Sequence, residues 1–482
     1  MRKGKKEMKN LKINKVKRVF FFLILMVTSC AWVNAKESSK GFERKGVLKN
    51  VQKLSWDGLD VIWIKDNRFP TYDITVYYGD GSLSDGDRKG ETERMFSLLG
   101  KGTPKYSFKD IAEQFEFWSF SGGPNVFHEY SSYNFSGLLK DLKPTMKFVC
   151  HIFKNASFPE SEIKKHLTNA KLGFQSLISN PSSLASRAFR EISMAGTPFF
   201  YPTGGKLKDL SFVTREGLKK KLHYFQTKVQ KRIYISGPEQ VLEVKDILVK
   251  ECGWNGSQSF KRKVESPEKK FDKSGPKVIL VTVPKANQAQ VRIGRYLNRG
   301  EVKGNDEVLD FMSSILGGGF TSILNREARI KRGLTYSIGA FAAGQKYYGR
   351  SGISTATSNE KVIEMVSVIK ASIKKVSKKE FSKEQFKTTK NFLKGSYPFQ
   401  YETIKSFMGQ MVFLDHVGNN YSKFHTFPKN IALIEEKDIA KAAKDIFNWK
   451  KQVVVILGVK SLEKELKKSF RKLKTISYES FL

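Results

Sequence analysis

"MFSLLGKG", residues 95–102, has a near copy in "MSSILGGG", residues 312–319. The two stretches lie 217 residues apart, and the same register carried backward pairs Glu93 with Asp310. Each closes an amphipathic stretch on glycines, as a helix does when it stops in a turn. Each also follows two strand-like runs. These are "DVIWI" (60–64) and "YDITVYYG" (72–79) in the first half, and "KVILVTV" (277–283) and "AQVRIGRYL" (289–297) in the second. Short apolar runs rich in β-branched and aromatic residues read as strands. One repeat of this length points to a tandem pair of domains, not a solenoid.

Further along, each half turns helical. "DLKPTMKFVCHIFKNASF" (141–158) and "EKVIEMVSVIKASIKKV" (360–376) place apolar residues at i, i+3, i+4 and i+7. Residues 159–192 read as a helix pair broken at Asn180-Pro181, and 382–399 take the equivalent place in the second half. Strand, strand, helix, strand, helix, helix, strand in each half predicts an α+β fold, with one mixed sheet faced by helices. The expected division is 45–260 and 277–482, joined by the charged linker "KRKVESPEKKFDKSGP" (261–276).

The chain has 482 residues, 40% of them apolar and 28% charged, a globular composition with room for several cores. Lys and Arg number 86 against 47 Asp and Glu, a net charge of +39. Such a charge attracts acidic partners, whether nucleic acid, anionic lipid or acidic peptide. The lysines are spread along the whole chain with no basic arm or aromatic stripe, so no nucleic-acid partner is expected.

The first 18 residues carry nine basic groups and one acid, and "VFFFLILMV" (19–27) follows. Nine apolar residues are too few to span a bilayer, and the pattern is that of an export signal. Two processing sites fit it. "VNA" (33–35) suits cleavage before Lys36, making 1–35 the signal; "VTSC" (27–30) resembles a lipobox, which ends the signal at residue 29 and lipidates Cys30. The expected location is the periplasm, with a membrane tether if Cys30 is acylated. Of the remaining cysteines, Cys150 sits in an apolar run and reads as a buried free thiol. A Cys150–Cys252 disulfide is the alternative in an oxidising compartment.

At "GDGSLSD", "SGGPNVFHEYSSYNFSG" (121–137), "GTPFFYPTGG" and above all "ILGGGFTSILNREARIKRGLTYSIGAF" (315–341), the chain resembles the M16 (insulinase/pitrilysin-like) metallopeptidases. It is most similar to the short bacterial kind, and the likeness covers about residues 45–460. That resemblance implies two homologous domains of the LuxS/mitochondrial-processing-peptidase-like metallohydrolase fold, each with a mostly antiparallel sheet. It also implies an inverted zinc motif, HxxEH. Two histidines at i and i+4 share a helix face and hold Zn²⁺, the Glu between them activates water, and a later Glu completes the site.

Counted back from Gly102-Thr103, the motif falls on residues 93–97. The ligand positions hold Glu93 and Ser97, the base position holds Phe96, and the later Glu aligns with Lys171. Ser is a poor ligand at neutral pH, and Phe cannot shuttle a proton. The six histidines are His128, His151, His166, His223, His416 and His425, and no two are three or four apart. No catalytic residue and no bound metal are therefore expected in this chain, with zinc expected in a partner subunit.

What the resemblance retains lies in "ARIKRGLTY". Active members place an Arg and a Tyr seven residues apart beside the substrate, and Arg329 and Tyr336 have that spacing. Arg offers a permanent forked cation, and a Tyr hydroxyl can donate to an oxyanion. Taken without the resemblance, the same residues read as a helix end capped at Gly333 and followed by a strand. Gly317, Gly318 and Gly319 lack the Lys-Ser/Thr of a phosphate loop and resemble the family's flexible turn after the helix. Asn125 stands where the family's sheet edge takes a peptide as an extra strand, and an ordinary hairpin fits the same residues.

The function expected is that of a catalytically inactive M16 subunit. It would lend Arg329 and Tyr336 to a partner carrying HxxEH, in a heterodimer that takes peptides or unfolded segments. The alternatives are a non-enzymatic peptide-binding scaffold of M16 ancestry and a divergent active zinc metallopeptidase built on Glu93.

Overall fold

The computed structural model describes residues 48–482 except 266, 272–274 and 471. The export signal, both processing sites and Cys30 lie outside the described residues. Among those described, no helix is long and apolar enough to cross a membrane.

Twelve strands form two six-stranded sheets. In the first half these are β1 (Val51–Trp56), β2 (Leu59–Lys65), β3 (Thr71–Tyr78), β4 (Ser121–Val126), β5 (Ser131–Leu138) and β6 (Lys231–Gly237). In the second half they are β7 (Lys277–Val283), β8 (Gln288–Asn298), β9 (Ile338–Gly344), β10 (Tyr348–Ser358), β11 (Val453–Val459) and β12 (Leu473–Ser477). The orders are β1-β2-β6-β3-β5-β4 and β12-β7-β11-β8-β10-β9. They match strand for strand except at one edge: β1 precedes β2 and pairs antiparallel to it, whereas β12 comes from the chain's end and runs parallel to β7. The duplication read from "MFSLLGKG" and "MSSILGGG" is thus a duplication of sheets, and the fold is α+β.

The central strands are apolar on both faces because both faces are covered. Val61, Ile74, Val76, Ile233 and Ile235 are buried in the first sheet; Ile279, Val281, Val291, Ile293 and Val455 are buried in the second. On one face lie helices of the same half, such as Leu142–Asn155 under the first sheet and Val362–Ser377 under the second. The other face is covered by the opposite half. Leu184, Ala185, Ala188 and Ile192 of the helix Pro181–Ser193 pack on Ile279, Val281, Val455 and Leu457. In return the helix Ile404–Val417 lies over the first sheet, where Asp415 accepts from Tyr234 Oη at 2.6 Å and His416 Nδ1 meets Tyr77 Oη at 3.1 Å. Each half lends a helix to the other's core.

The expected linker is strapped to both halves, and on the second-half side Lys269 N donates to Asn298 Oδ1 at 2.9 Å. Arg262 forks onto the buried Asp80 at 2.7 and 2.9 Å, and Tyr224 Oη donates to the same carboxylate at 2.6 Å. Lys269 Nζ donates to the carbonyls of Ser193 and Ala195 at 2.9 and 3.0 Å. A fork of this kind fixes orientation as well as position.

One expectation is corrected. Cys150 is not a free thiol: it is bonded to Cys252, with the two Cα atoms 4.4 Å apart. The bond ties the helix Leu142–Asn155 to the turn Ile247–Glu251 and closes a span of 102 residues. The apolar setting of Cys150 was legible in the sequence, but its neighbour was not, because only the fold brings residue 252 to it.

Candidate functional site

The degenerate motif occupies the helix Glu91–Leu98. It starts after Gly90, which has φ +85°, and a Cβ there would sit 2.6 Å from the carbonyl oxygen of Gly204. Met95, Phe96, Leu98 and Leu99 point into the core. Phe96 is 1% exposed, with its ring centroid 5.1 Å from Phe225, 5.4 Å from Tyr78 and 6.3 Å from Tyr133. The position that would carry the general base is therefore packed into an aromatic cluster, closed to water.

Glu93 and Ser97 are half-buried on the helix's remaining face. Thr203 Oγ1 donates to Glu93 Oε2 at 3.4 Å, and Arg94 Nη2 donates to Gly204 O at 2.7 Å. The surroundings are cationic. Burial pushes His166 below its ordinary pKa, and the charges of Arg94 and Lys101 push it further. Lys171 is exposed on the helix Glu160–Ser176, lining a shallow groove with Leu167, Thr168, Leu210 and Val213. Among the described residues, no group of three or more His, Cys, Asp or Glu side chains is placed to hold a metal ion. The family's zinc does not fit these residues: one carboxylate, a serine, a buried phenyl ring and nearby cations lack the donor set that Zn²⁺ requires.

The second half builds differently on the same plan. Its equivalent helix, Asp306–Gly317, presses its C-terminus against β9: a Cβ on Gly317 would lie 2.5 Å from Ala340 N. Gly317 ends the helix in close packing on β9, and Gly318 caps it. Asn325 then ties the loop to the sheet, its Nδ2 donating to Gly319 O and Ile338 O at 3.0 Å each. The chain continues through a π-helical turn, Asn325–Ile330, a rare geometry frequent at functional sites. Glu327 is buried there beneath Lys375, Arg332 and Lys331 at 2.8, 2.9 and 3.0 Å. Their hydrogen bonds, with that of Lys375 the largest, hold its carboxyl down at about 2.

Arg329 is half-exposed, its guanidinium 4.9 Å from the ring centroid of Phe320, which is itself 71% exposed. Tyr336 is 87% exposed. Both residues of the expected pair stand at the surface on a segment braced from beneath. Phe320 is the neighbour that sequence reasoning missed, although its place directly after the glycines is visible.

Asn125 lies on the edge strand β4, opposite Ser132 of β5. It lines a cleft of about 240 Å³ between the first sheet and the helix Ile404–Val417, along with Asp73, Tyr130, Lys405 and Gly409. Sequence reading had no route to that cleft, because one wall, Lys405, Met408, Gly409 and Val412, comes from residues almost 300 positions away. The one available signal was Gly409 inside a helix, an unfavourable placement unless space is needed. His128 is packed, not a ligand: its Nε2 donates to Tyr201 O at 2.8 Å, and burial pushes its pKa down to about 4.

Residues 213–393 match the family described as the peptidase M16 inactive domain. The chain is 22% identical over 346 residues to a Bacillus subtilis protein named "Uncharacterized zinc protease YmxG", a match covering 70% of this chain and 81% of that one. It is 23% identical over 378 residues to a Helicobacter pylori protein named "Non-peptidase homolog YmxG", covering 74% and 81%. Its fold is that of the crystal structure of a peptidase M16 inactive domain from Pseudomonas fluorescens, with a TM-score of 0.75, 20% identity, and coverage of 85% of this chain and 98% of that one. By matched domain, relatives and fold, the chain resembles the M16 peptidases, and its sequence holds no HxxEH motif.

Proposed function

We propose that this chain is the zinc-free subunit of an M16 peptidase pair, supplying Arg329 and Tyr336 to a partner that carries HxxEH and the metal. The observation that carries the reading is the asymmetry of the two helices. The base position of the first is buried phenylalanine, while the Arg/Tyr segment of the second is braced and open to solvent. A Tyr hydroxyl and an Arg fork presented to another subunit's site would stabilise the oxyanion that forms when water attacks a peptide carbonyl. Asn125, on an unpaired sheet edge, would hold an extended peptide by main-chain hydrogen bonds. Export to the periplasm suits the basic and apolar N-terminus, and the Cys150–Cys252 bond suits an oxidising compartment. Cys30 would give the membrane tether.

The test mixes the purified chain with an HxxEH-bearing homologue and follows cleavage of a quenched peptide. Arg329→Ala and Tyr336→Phe should each lower kcat/KM by about 100-fold, the scale of losing one oxyanion donor. Elemental analysis should find one zinc per pair. Activity unchanged in both variants sinks the proposal. A scaffold of M16 ancestry is the second reading, favoured by the "Non-peptidase homolog" name of the Helicobacter relative. Peptide binding by the chain alone, with no activation of any partner, would select it.

A further inference from the structure

The segment that presents Arg329 has a charge and surface character of its own. Residues 326–332 read "REARIKR", four cations and one carboxylate. That carboxylate, Glu327, is buried and already shared by Lys331, Arg332 and Lys375. Three cations therefore share a single anion, which leaves Arg326 and Arg329 over. Arg326 is exposed and Arg329 half-exposed, and among the described residues no carboxylate pairs with either. Phe320 lies against Arg329 at 4.9 Å, and Ile330 and Tyr336 follow Arg329 in the chain; the three are open to solvent, at 71%, 67% and 87% exposure.

Exposed aromatic and aliphatic groups interleaved with unpaired arginines are costly to leave in water and mark an interaction site. We infer that this surface selects peptide substrates whose segments alternate carboxylate and apolar side chains. Carboxylates would meet the forks of Arg326 and Arg329, which suit them bidentately. Apolar side chains would cover Phe320, Ile330 and Tyr336, removing water from around the ion pairs and strengthening them. The net charge of +39 adds long-range attraction for acidic chains and repels basic ones. The exposed aliphatic Ile330 between the arginines favours a peptide over a nucleic acid, whose phosphates would leave it uncovered. The inference deepens the proposed function by naming the substrate class of the Arg329/Tyr336 surface, and it rests on that reading for the word substrate.

The experiment uses the chain alone, so that its outcome is separate from partner activation. Fluorescence anisotropy would follow three labelled decapeptides, alternating Leu with Glu, Lys or Ser, and a single-stranded DNA decamer, at physiological salt. The Glu–Leu peptide should bind at least tenfold more tightly than the other three probes. Arg326→Ser combined with Arg329→Ser should weaken it at least tenfold, and Phe320→Ser with Ile330→Ser about fivefold. Lys219→Ser with Lys220→Ser, exposed on the first half's helix Arg215–Thr227, should change it less than twofold. Equal losses from the arginine and lysine pairs would mean that bulk charge alone attracts the peptide and would overturn the inference. So would tighter binding of the DNA, or no preference for Glu over Ser. If Arg329→Ala abolishes activity in the mixed pair while the Glu–Leu peptide fails to bind, the proposed function stands and this inference falls.

Discussion

The helices Glu91–Leu98 and Asp306–Gly317 hold the same place in the two halves and share a Ser-aliphatic-Leu-Gly ending, yet the shared letters do different work. Phe96 fills an aromatic core, whereas its counterpart Ser313 is a buried hydroxyl with no partner among the described residues. Gly317 lets a helix end rest on β9, whereas a Cβ on its counterpart Gly100 would meet nothing within 4 Å. Burial, with repulsion from Asp306 and Glu307 and partial relief by Lys423, raises Asp310 to about 6, while its counterpart Glu93 lies beside Thr203 and Gly204. Duplication copied the plan of the fold, and packing then assigned each copied position its own role. Neither copy keeps the histidines that would make the helix a metal site.

The sharpest way to break this contrast is at Phe96. Phe96→Ala should cost about 3–5 kcal/mol in urea unfolding, the range for emptying an aromatic core site. Ser313→Ala should be neutral or stabilise by about 1 kcal/mol, because it removes a buried hydroxyl that bonds to nothing. Equal costs at the two positions would contradict the packing described. The disulfide is the next test, since it clips the first half alone. Cys150→Ser with Cys252→Ser should cost roughly 5 kcal/mol by the loop-entropy relation. Hydrogen exchange should show the loss in the helix Leu142–Asn155, with Val362–Ser377 unaffected. An unchanged unfolding midpoint would count against a formed bond.

Smaller effects sharpen the comparison at the glycines and at one histidine. Gly317→Ala should cost about 3 kcal/mol, the upper end for overpacking, because the obstructing atom is backbone. Gly100→Ala should change stability by less than about 1 kcal/mol. Thermal melts of the two variants give the answer directly. His128 sits in the β4–β5 turn, and the β9–β10 turn carries the non-titrating Gln345. Its folded pKa of about 4 lies below the ordinary 6.5, so the unfolded chain takes up the proton first as pH falls. Its contribution is full above pH 6.5 and is lost as pH falls towards 4, the loss reaching about 2 kcal/mol by pH 5. His128→Gln keeps a donor for Tyr201 O and should flatten that part of the stability–pH curve. An unchanged slope would place the titration elsewhere.

Much of this was legible in the chain. The apolar runs at 60–64, 72–79, 277–283 and 289–297 became β2, β3, β7 and β8, since strands covered on both faces must be apolar throughout. The break at Asn180-Pro181 became a helix start, with Asn180 Oδ1 accepting from Ser183 N at 3.1 Å. The loss of HxxEH could be read outright, because a metal site fails when its donor atoms are missing, whatever the geometry. The cleft beside Asn125 could not be read, nor could the stacking of Arg329 on Phe320, because neither depends on local periodicity.

The sequence by itself determined the duplication, the α+β class, the missing zinc ligands and the presence of an Arg and a Tyr at the family's spacing. Those are properties of residue type and interval, which no folding event alters. Tertiary structure alone decided which faces those residues present. It joined Cys150 to Cys252, exchanged a helix between the halves, buried Phe96 and left Tyr336 in solvent. The physical reason is that pairing, exchange and exposure are set by contacts between residues far apart in the chain, and each depends on which surfaces the whole fold closes against one another.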